Sequence, residues 1–204
     1  MFDLITAFVA KAGYVGIALL MLAENLFPPV PSELIMPLAG FSAARGELNV
    51  VGVLIAGTVG SVAGALFWYE VGRRIGVDRL RRWAAGHGRW LTLAPAELDQ
   101  AMGWFKRHRG TAVLVGRLVP AVRTLISVPA GVSQMPFPAF LAWTTVGTML
   151  WTGVLAGAGY LLEDGYDKVA AWVNPVTNLV VALLVLGYVY RVVTFRVPES
   201  APQR

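Results

Sequence analysis

An all-α membrane protein is what this sequence predicts: an inverted repeat of two re-entrant helical hairpins each followed by a transmembrane helix, plus a C-terminal transmembrane helix and amphipathic interfacial helices. Three observations carry that prediction. Hydrophobic residues make up 56% of the 204 and charged residues only 14%, with a mean hydropathy of +0.62, whereas about a quarter of a soluble domain is charged. Two long apolar stretches are broken in the middle by prolines, and an order of amphipathic segment, broken hairpin and full span occurs twice along the chain. The chain 1–204 thus reads as one membrane domain, with 1–72 as first repeat, 73–95 as a cytoplasmic basic amphipathic segment, 96–162 as second repeat and 172–195 as C-terminal transmembrane helix and tail.

Residues 1–12 mix Phe2, Leu4, Ile5, Phe8 and Val9 with Asp3 and Lys11 and are too short to cross about 30 Å of hydrocarbon, so an interfacial helix is expected. The start has no basic n-region and no small-residue cleavage site, which argues against a removable signal peptide. From Ala12 to Ala44 the only charges are Glu24 and Glu33, flanking Asn25-Leu-Phe-Pro-Pro-Val-Pro-Ser32. One straight helix over this stretch would be about 50 Å long, and the prolines forbid it, because each lacks an N–H and its ring clashes with the preceding turn. A re-entrant hairpin is expected, with arms to about Phe27 and from about Glu33 to Ala44. Its broken tip is tolerated at membrane depth only where protein or a watery cavity satisfies the backbone.

Val50–Tyr69 is a full apolar span whose Gly57, Gly60, Ser61 and Gly64 let another helix approach closely. Glu70 follows, three and four positions before Arg73 and Arg74, as a paired interfacial residue. Arg73, Arg74, Arg79, Arg81, Arg82, Arg89, Lys106, Arg107 and Arg109 then alternate with Trp83, Trp90, Trp104 and Phe105. This suits two short amphipathic helices divided near Pro95, with rings toward the acyl chains and the cations in the cytoplasm. The net charge of +5 is concentrated here beside predicted spans, which speaks for membrane topology and against nucleic acid. His87 and His108 also fall here without partners at metal-ligand spacing. No cysteine is present, which excludes disulfides, thiolate metal sites and thiol nucleophiles, and no metal or cofactor is expected.

Gly110–Pro136 is the second broken apolar region, with Pro120, Pro129 and Gly131. Between Arg109 and Glu163 its Arg117 and Arg123 are the only charges. An arginine placed in lipid costs about 2.5–3.5 kcal/mol on insertion scales, so two of them ask for partners or a task. Phe137–Leu162 is an uncharged span, 163–167 an acidic loop on the far side, and Trp172–Tyr190 a last span ending in Arg191 and Arg196, which places the C-terminus in the cytoplasm. Phe8 with Gly13 matches Phe105 with Gly110, Ala39-Gly40-x-Ser42 matches Ala130-Gly131-x-Ser133, and Gly60 with Gly72 matches Gly147 with Gly159. Halves of opposite orientation are the design of many secondary transporters, whose broken elements meet at the midplane to form the binding site. One hairpin brings two carboxylates and the other two guanidinium groups, so the four charges can neutralise one another in pairs.

These residues resemble the DedA family, whose shared region is also called the SNARE-associated or VTT domain. The resemblance runs from about Gly13 to Tyr160 and rests on Glu24-Asn25 followed by Pro28-Pro29-x-Pro31-x-Glu33, on Trp68-Tyr69-x-x-Gly72-Arg73, and on Gly116-Arg117-x-x-Pro120-x-x-Arg123-Thr124 with Pro129-Ala130-Gly131. It implies a multi-pass protein of the bacterial cytoplasmic (inner) membrane that moves lipids across the bilayer, with undecaprenyl phosphate recycling or phospholipid flipping as the activity and protons as coupling partner. The family's acidic pair matches Glu24 and Glu33, the proton-coupling candidates, and its arginine pair matches Arg117 and Arg123, the substrate-binding candidates. Partners implied are membrane lipids, a polyprenyl phosphate or a phospholipid, and protons; a homo-oligomer is compatible with the pattern.

The chemistry agrees on its own terms, since a guanidinium fork matches phosphate oxygens and stays charged. Within Val113–Ser133 the polar side chains are only Arg117, Arg123, Thr124, Ser127 and Ser133, so neither an aromatic cage nor a run of hydroxyls is expected beside the arginines. That favours a small phosphate head on a long hydrocarbon tail, undecaprenyl phosphate before phosphatidylethanolamine. A small-anion transporter has the same site chemistry. An intramembrane lipid enzyme fits less well, because Ser32, Ser61, Ser127 and Ser133 lack a nearby histidine base. The four charges also have a purely structural reading, as buried salt bridges holding the hairpins together.

Overall fold

The computed structural model describes residues 2–27, 32–91, 95–120, 122–161 and 186. Among the described residues seven helices run in order: α1 Phe2–Leu26, α2 Ser32–Ala44, α3 Val50–Leu91, α4 Pro95–Arg107, α5 Arg109–Leu118, α6 Ser127–Val132 and α7 Phe137–Leu161. There is no strand among the described residues, in agreement with the all-α class. The Pro28–Pro31 tip, the acidic loop and the C-terminal span lie outside the described residues.

The expected interfacial helix and first hairpin arm form one element, α1, with a break at Gly13, whose φ of 55° is left-handed and open to glycine at no steric cost. The equivalent break in the second half falls at His108, between α4 and α5. Asn49 starts α3: its Oδ1 accepts from the Val51 N–H at 2.9 Å, while its own N–H donates to the Tyr14 hydroxyl at 2.8 Å. The first bond satisfies a helix-start donor, and the second ties the α2–α3 loop to the base of the first arm.

Two expectations change here. The span predicted to end at Tyr69 continues into the basic segment as one long helix, interrupted at Gly76 where φ is 68°, so only the second amphipathic helix, α4, is a separate piece. Phe105, expected to face acyl chains, is buried with Tyr69, Ala112 and Phe140, while Trp104 of the same helix is exposed. Glu70 does pair with Arg73 and Arg74, at 3.8 and 3.0 Å.

Two apolar cores hold the helices together. Ile17, Met21, Ile35, Met36 and Val53 form one with Ala156. Tyr69 centres the other, stacked on Phe140 at 4.3 Å between ring centroids and donating its hydroxyl to the Met135 carbonyl at 2.5 Å. Outside these cores α3 exposes Val51, Ile55 and Val59, and α7 exposes Val146, Leu150 and Val154. Such faces are what a lipid solvent permits, because there the drive to bury apolar surface is absent and packing of small residues joins helices instead. Among the described residues two helices are long and apolar enough to cross a membrane, at Val50–Arg82 and Phe137–Leu161.

The small residues that suggested a repeat make the closest approaches between halves. A methyl group at Gly40 of α2 would collide with the Ala156 carbonyl of α7, and one at Gly159 with that of Pro37. In the other half a methyl at Gly131 of α6 would collide with the Tyr69 carbonyl of α3, and one at Gly72 with that of Val128. Thus α2 packs backbone to backbone on α7, and α6 on α3, through glycines that match one another in the sequence.

Candidate functional site

Folding brings Glu24 of the first broken apolar region onto Arg123 of the second, with Arg117 bonded to the neighbouring Asn25. Glu24 sits near the end of α1, Arg117 in the last turn of α5, and Arg123 in the hydrogen-bonded turn from Val119 to Ile126. A cation in a final helical turn is favoured by the carbonyls exposed there. The turn backbone is largely satisfied from within, because Val122 and Arg123 donate to the Val119 carbonyl, both at 3.0 Å, and Ile126 to that of Val122 at 2.9 Å. Glu24, Arg117 and Arg123 retain only 3%, 3% and 5% of their exposure, so each charge depends on protein groups or a ligand for solvation.

The two arginines are not equivalent. Arg123 Nη2 donates to Glu24 Oε1 and, at 2.6 Å, to the Ser32 hydroxyl, and its guanidinium carbon lies 5.7 Å from the centre of the Trp151 ring. Arg117 has no carboxylate partner among the described residues. Its Nη2 donates to the Ser127 hydroxyl at 2.8 Å, its Nη1 reaches Asn25 Oδ1 at a long 3.5 Å, and its Nε is buried without a partner. Asn25 links the pair, donating from Nδ2 to Glu24 Oε2 at 3.1 Å and to the Met21 carbonyl at 3.3 Å. Its own carbonyl accepts from Trp68 Nε1 at 2.9 Å. Pairwise neutralisation of four charges is therefore realised once. Glu33, in the first turn of α2, is half-buried and makes neither a hydrogen bond nor an ion pair among the described residues.

Glycines shape this cluster. A methyl at Gly147 of α7 would come within 2.8 Å of Arg117 Cβ, and one at Gly116 within 2.7 Å of the Ile126 side chain, so α5 can lie close enough to α7 to bury the arginine stem. The surroundings of the arginines are more polar than the count within Val113–Ser133 suggests. Ser32 and Ser127 bind the two guanidinium groups directly, and Trp151 lies over one of them. Ser127 was inside the stretch considered, but Ser32 and Trp151 come from other helices, out of reach of any local count. Elsewhere in α7, Thr144 and Thr148 carry buried hydroxyls without partners, and Ser61 of α3 is in the same condition. His108 takes no part: it is exposed, stacked on Trp104 at 5.1 Å.

Comparison with known proteins gives the chain a family and named relatives. The VTT domain matches residues 30–161. An "Alkaline phosphatase-like protein" of Lactococcus lactis subsp. cremoris is 39% identical over 95% of this chain and 91% of its own length. "Undecaprenyl phosphate transporter A" of Staphylococcus aureus is 32% identical over 92% of this chain and 93% of its own, and the Bacillus subtilis protein of the same name is 28% identical over 92% of each. No solved structure matches. With two thirds of its length inside the domain and bacterial relatives aligned nearly end to end, the chain belongs to the VTT-domain (DedA) family of membrane proteins.

Proposed function

We propose that the protein is a transporter that carries a phosphate-headed lipid across the bacterial inner membrane, with undecaprenyl phosphate as the favoured substrate and protons as coupling partner. The observation that carries the proposal is Arg117, a buried guanidinium with a partnerless Nε–H and no carboxylate partner among the described residues. A charge in that position lacks a counter-charge that a phosphate oxygen supplies, and the planar fork gives two parallel donors to receive it. The names of the S. aureus and B. subtilis relatives point to the same cargo.

In this mechanism Arg117 takes the phosphate first. Arg123 exchanges one of its bonds from Glu24 to the second phosphate oxygen, and Glu24, losing its counter-charge, takes up a proton. Release on the other side reverses each step, so proton and substrate move together. Glu33 stands at the start of α2 as a second proton acceptor beside the tip. The Gly40–Ala156 and Gly131–Tyr69 approaches support an inverted repeat with both hairpins re-entrant, because they join equivalent arms to equivalent spans. Alternating access then amounts to rocking these backbone contacts around the charge cluster. The C-terminus lies on the cytoplasmic side in this arrangement.

The test is flipping by the purified protein in liposomes, with a polyprenyl monophosphate, phosphatidylethanolamine and a soluble labelled anion as parallel substrates. The monophosphate lipid is expected to move fastest, with a rate that responds to a proton gradient in wild type and not in the double variant Glu24→Gln with Glu33→Gln. Equal movement of both lipids without gradient response would make the protein a scramblase, and anion uptake alone a small-anion transporter. The phosphatase-like name of the Lactococcus relative adds one control: release of inorganic phosphate from the lipid would overturn the transport reading.

A further inference from the structure

We propose that a second anion site, separate from the buried charge cluster and independent of the transport reading, lies where α3 emerges beyond its apolar stretch, and that it takes the phosphate of a mono- or diester. A pocket of about 410 Å³ opens between α3, the end of α4 and the turn after α6, lined by Arg74, Arg79, Arg82 and Lys106 together with Asp78 and Gln134. Four cations and one carboxylate converge on one concavity from two helices. That convergence opposes ordinary surface design, because like charges brought together repel unless something between them carries the opposite sign.

The fold's own groups offset only part of this charge. Arg74 is held by Glu70 at 3.0 Å, and Arg79 Nη1 donates to the Arg74 carbonyl at 3.1 Å. Arg82 and Lys106 make no hydrogen bond or ion pair among the described residues, leaving two cations from different helices facing the same space.

The backbone around the pocket is unusual in two places. Gly76 breaks α3 with a φ of 68°, and Gln134 holds a φ of 54°, a conformation rare for a residue with a side chain and associated with functional sites. The Gln134 turn is pinned by bonds from its N–H to the Gly131 carbonyl at 2.9 Å and from Ser133 Oγ to the Ala130 carbonyl at 3.0 Å. The turn thereby places Gln134 in the lining of the basic pocket. Guanidinium, ammonium and amide donors around one cavity of this size suit a phosphate with a small substituent. The same chemistry is offered by the headgroup of an anionic membrane lipid and by a free phosphate compound.

The test uses the full chain and two probes: equilibrium dialysis of radiolabelled inorganic phosphate in neutral detergent, and lipid retention by native mass spectrometry from nanodiscs of phosphatidylglycerol or phosphatidylcholine. Arg82→Gln and Lys106→Gln are each expected to weaken binding about tenfold, the loss of one charge-assisted hydrogen bond. Asp78→Asn is expected to tighten it several-fold, a gain that misfolding cannot produce. Arg107→Gln makes the same charge change outside the pocket and should leave binding unchanged. Effects confined to phosphatidylglycerol identify a lipid headgroup as the ligand, and effects confined to inorganic phosphate identify a soluble one. No binding by either probe, or equal weakening by Arg107→Gln, overturns the site.

Discussion

Replacing Arg123 with glutamine is expected to destabilise the protein severely, while the same replacement at Arg117 leaves it folded and inactive. Arg123→Gln strands Glu24, which is 3% exposed, with Asn25 Nδ2 as its remaining donor at 3.1 Å. It also removes the bond to Ser32 and the contact with Trp151. Breaking a buried pair by deleting one partner costs about 3–5 kcal/mol, since the surviving charge keeps its desolvation penalty. Arg117→Gln strands no charge. It gives up one good bond to the neutral Ser127 and a marginal one to Asn25, a loss of about 1 kcal/mol that removing an unpaired buried cation offsets. The double variant Glu24→Gln with Arg123→Gln should recover most of the stability lost by Arg123→Gln alone, with a coupling of a few kcal/mol. Unfolding followed in detergent by tryptophan fluorescence, with size-exclusion profiles for integrity, measures the wild type, Glu24→Gln and the three variants above, and the liposome assay reports transport. Equal destabilisation by the two single arginine variants would refute the assignment of Arg123 as the structural partner and Arg117 as the free cation.

The glycine contacts predict a symmetric pattern of damage. Gly40→Val and Gly131→Val should each cost several kcal/mol, beyond the about 1–3 kcal/mol of ordinary overpacking, because the colliding atom is a backbone carbonyl in both. Gly103→Val and Gly153→Val, with open space around them, should be tolerated; the measurement is the yield of monodisperse protein and its melting temperature. Topology is testable by cysteines introduced into this cysteine-free chain at Arg45, His87 and Asp164. Labelling of Arg45 and Asp164 from outside and His87 from inside is expected, and labelling of Arg45 and Asp164 from opposite sides would rule out the re-entrant hairpins.

Much of this protein is legible from local chemistry. Low charge and long apolar runs demand a helical membrane protein, because only helices and closed barrels satisfy their backbone in lipid. The proline-rich stretch between α1 and α2 marks where the first apolar region breaks, since the ring conflicts with a continuing helix, although Pro37 is carried inside α2. The same reasoning isolates Glu24, Glu33, Arg117 and Arg123, because a charge in an apolar run is expensive in any fold. Even the backbone approaches at Gly40, Gly72, Gly131 and Gly159 leave a trace, as close packing requires a missing side chain at a fixed position.

What only the tertiary structure decided is which charge meets which. Along the chain the two arginines are alike, yet Glu24 takes Arg123 and leaves Arg117 with Ser127 and a distant Asn25. Ser32 and Trp151 join from helices remote in sequence, and the pocket of Arg82 and Lys106 exists only because α4 returns beside the end of α3. Burial and backbone conformation cost free energy residue by residue, so sequence records them directly. Pairing depends on distances between side chains carried by different helices, and those distances come into being only when the helices pack.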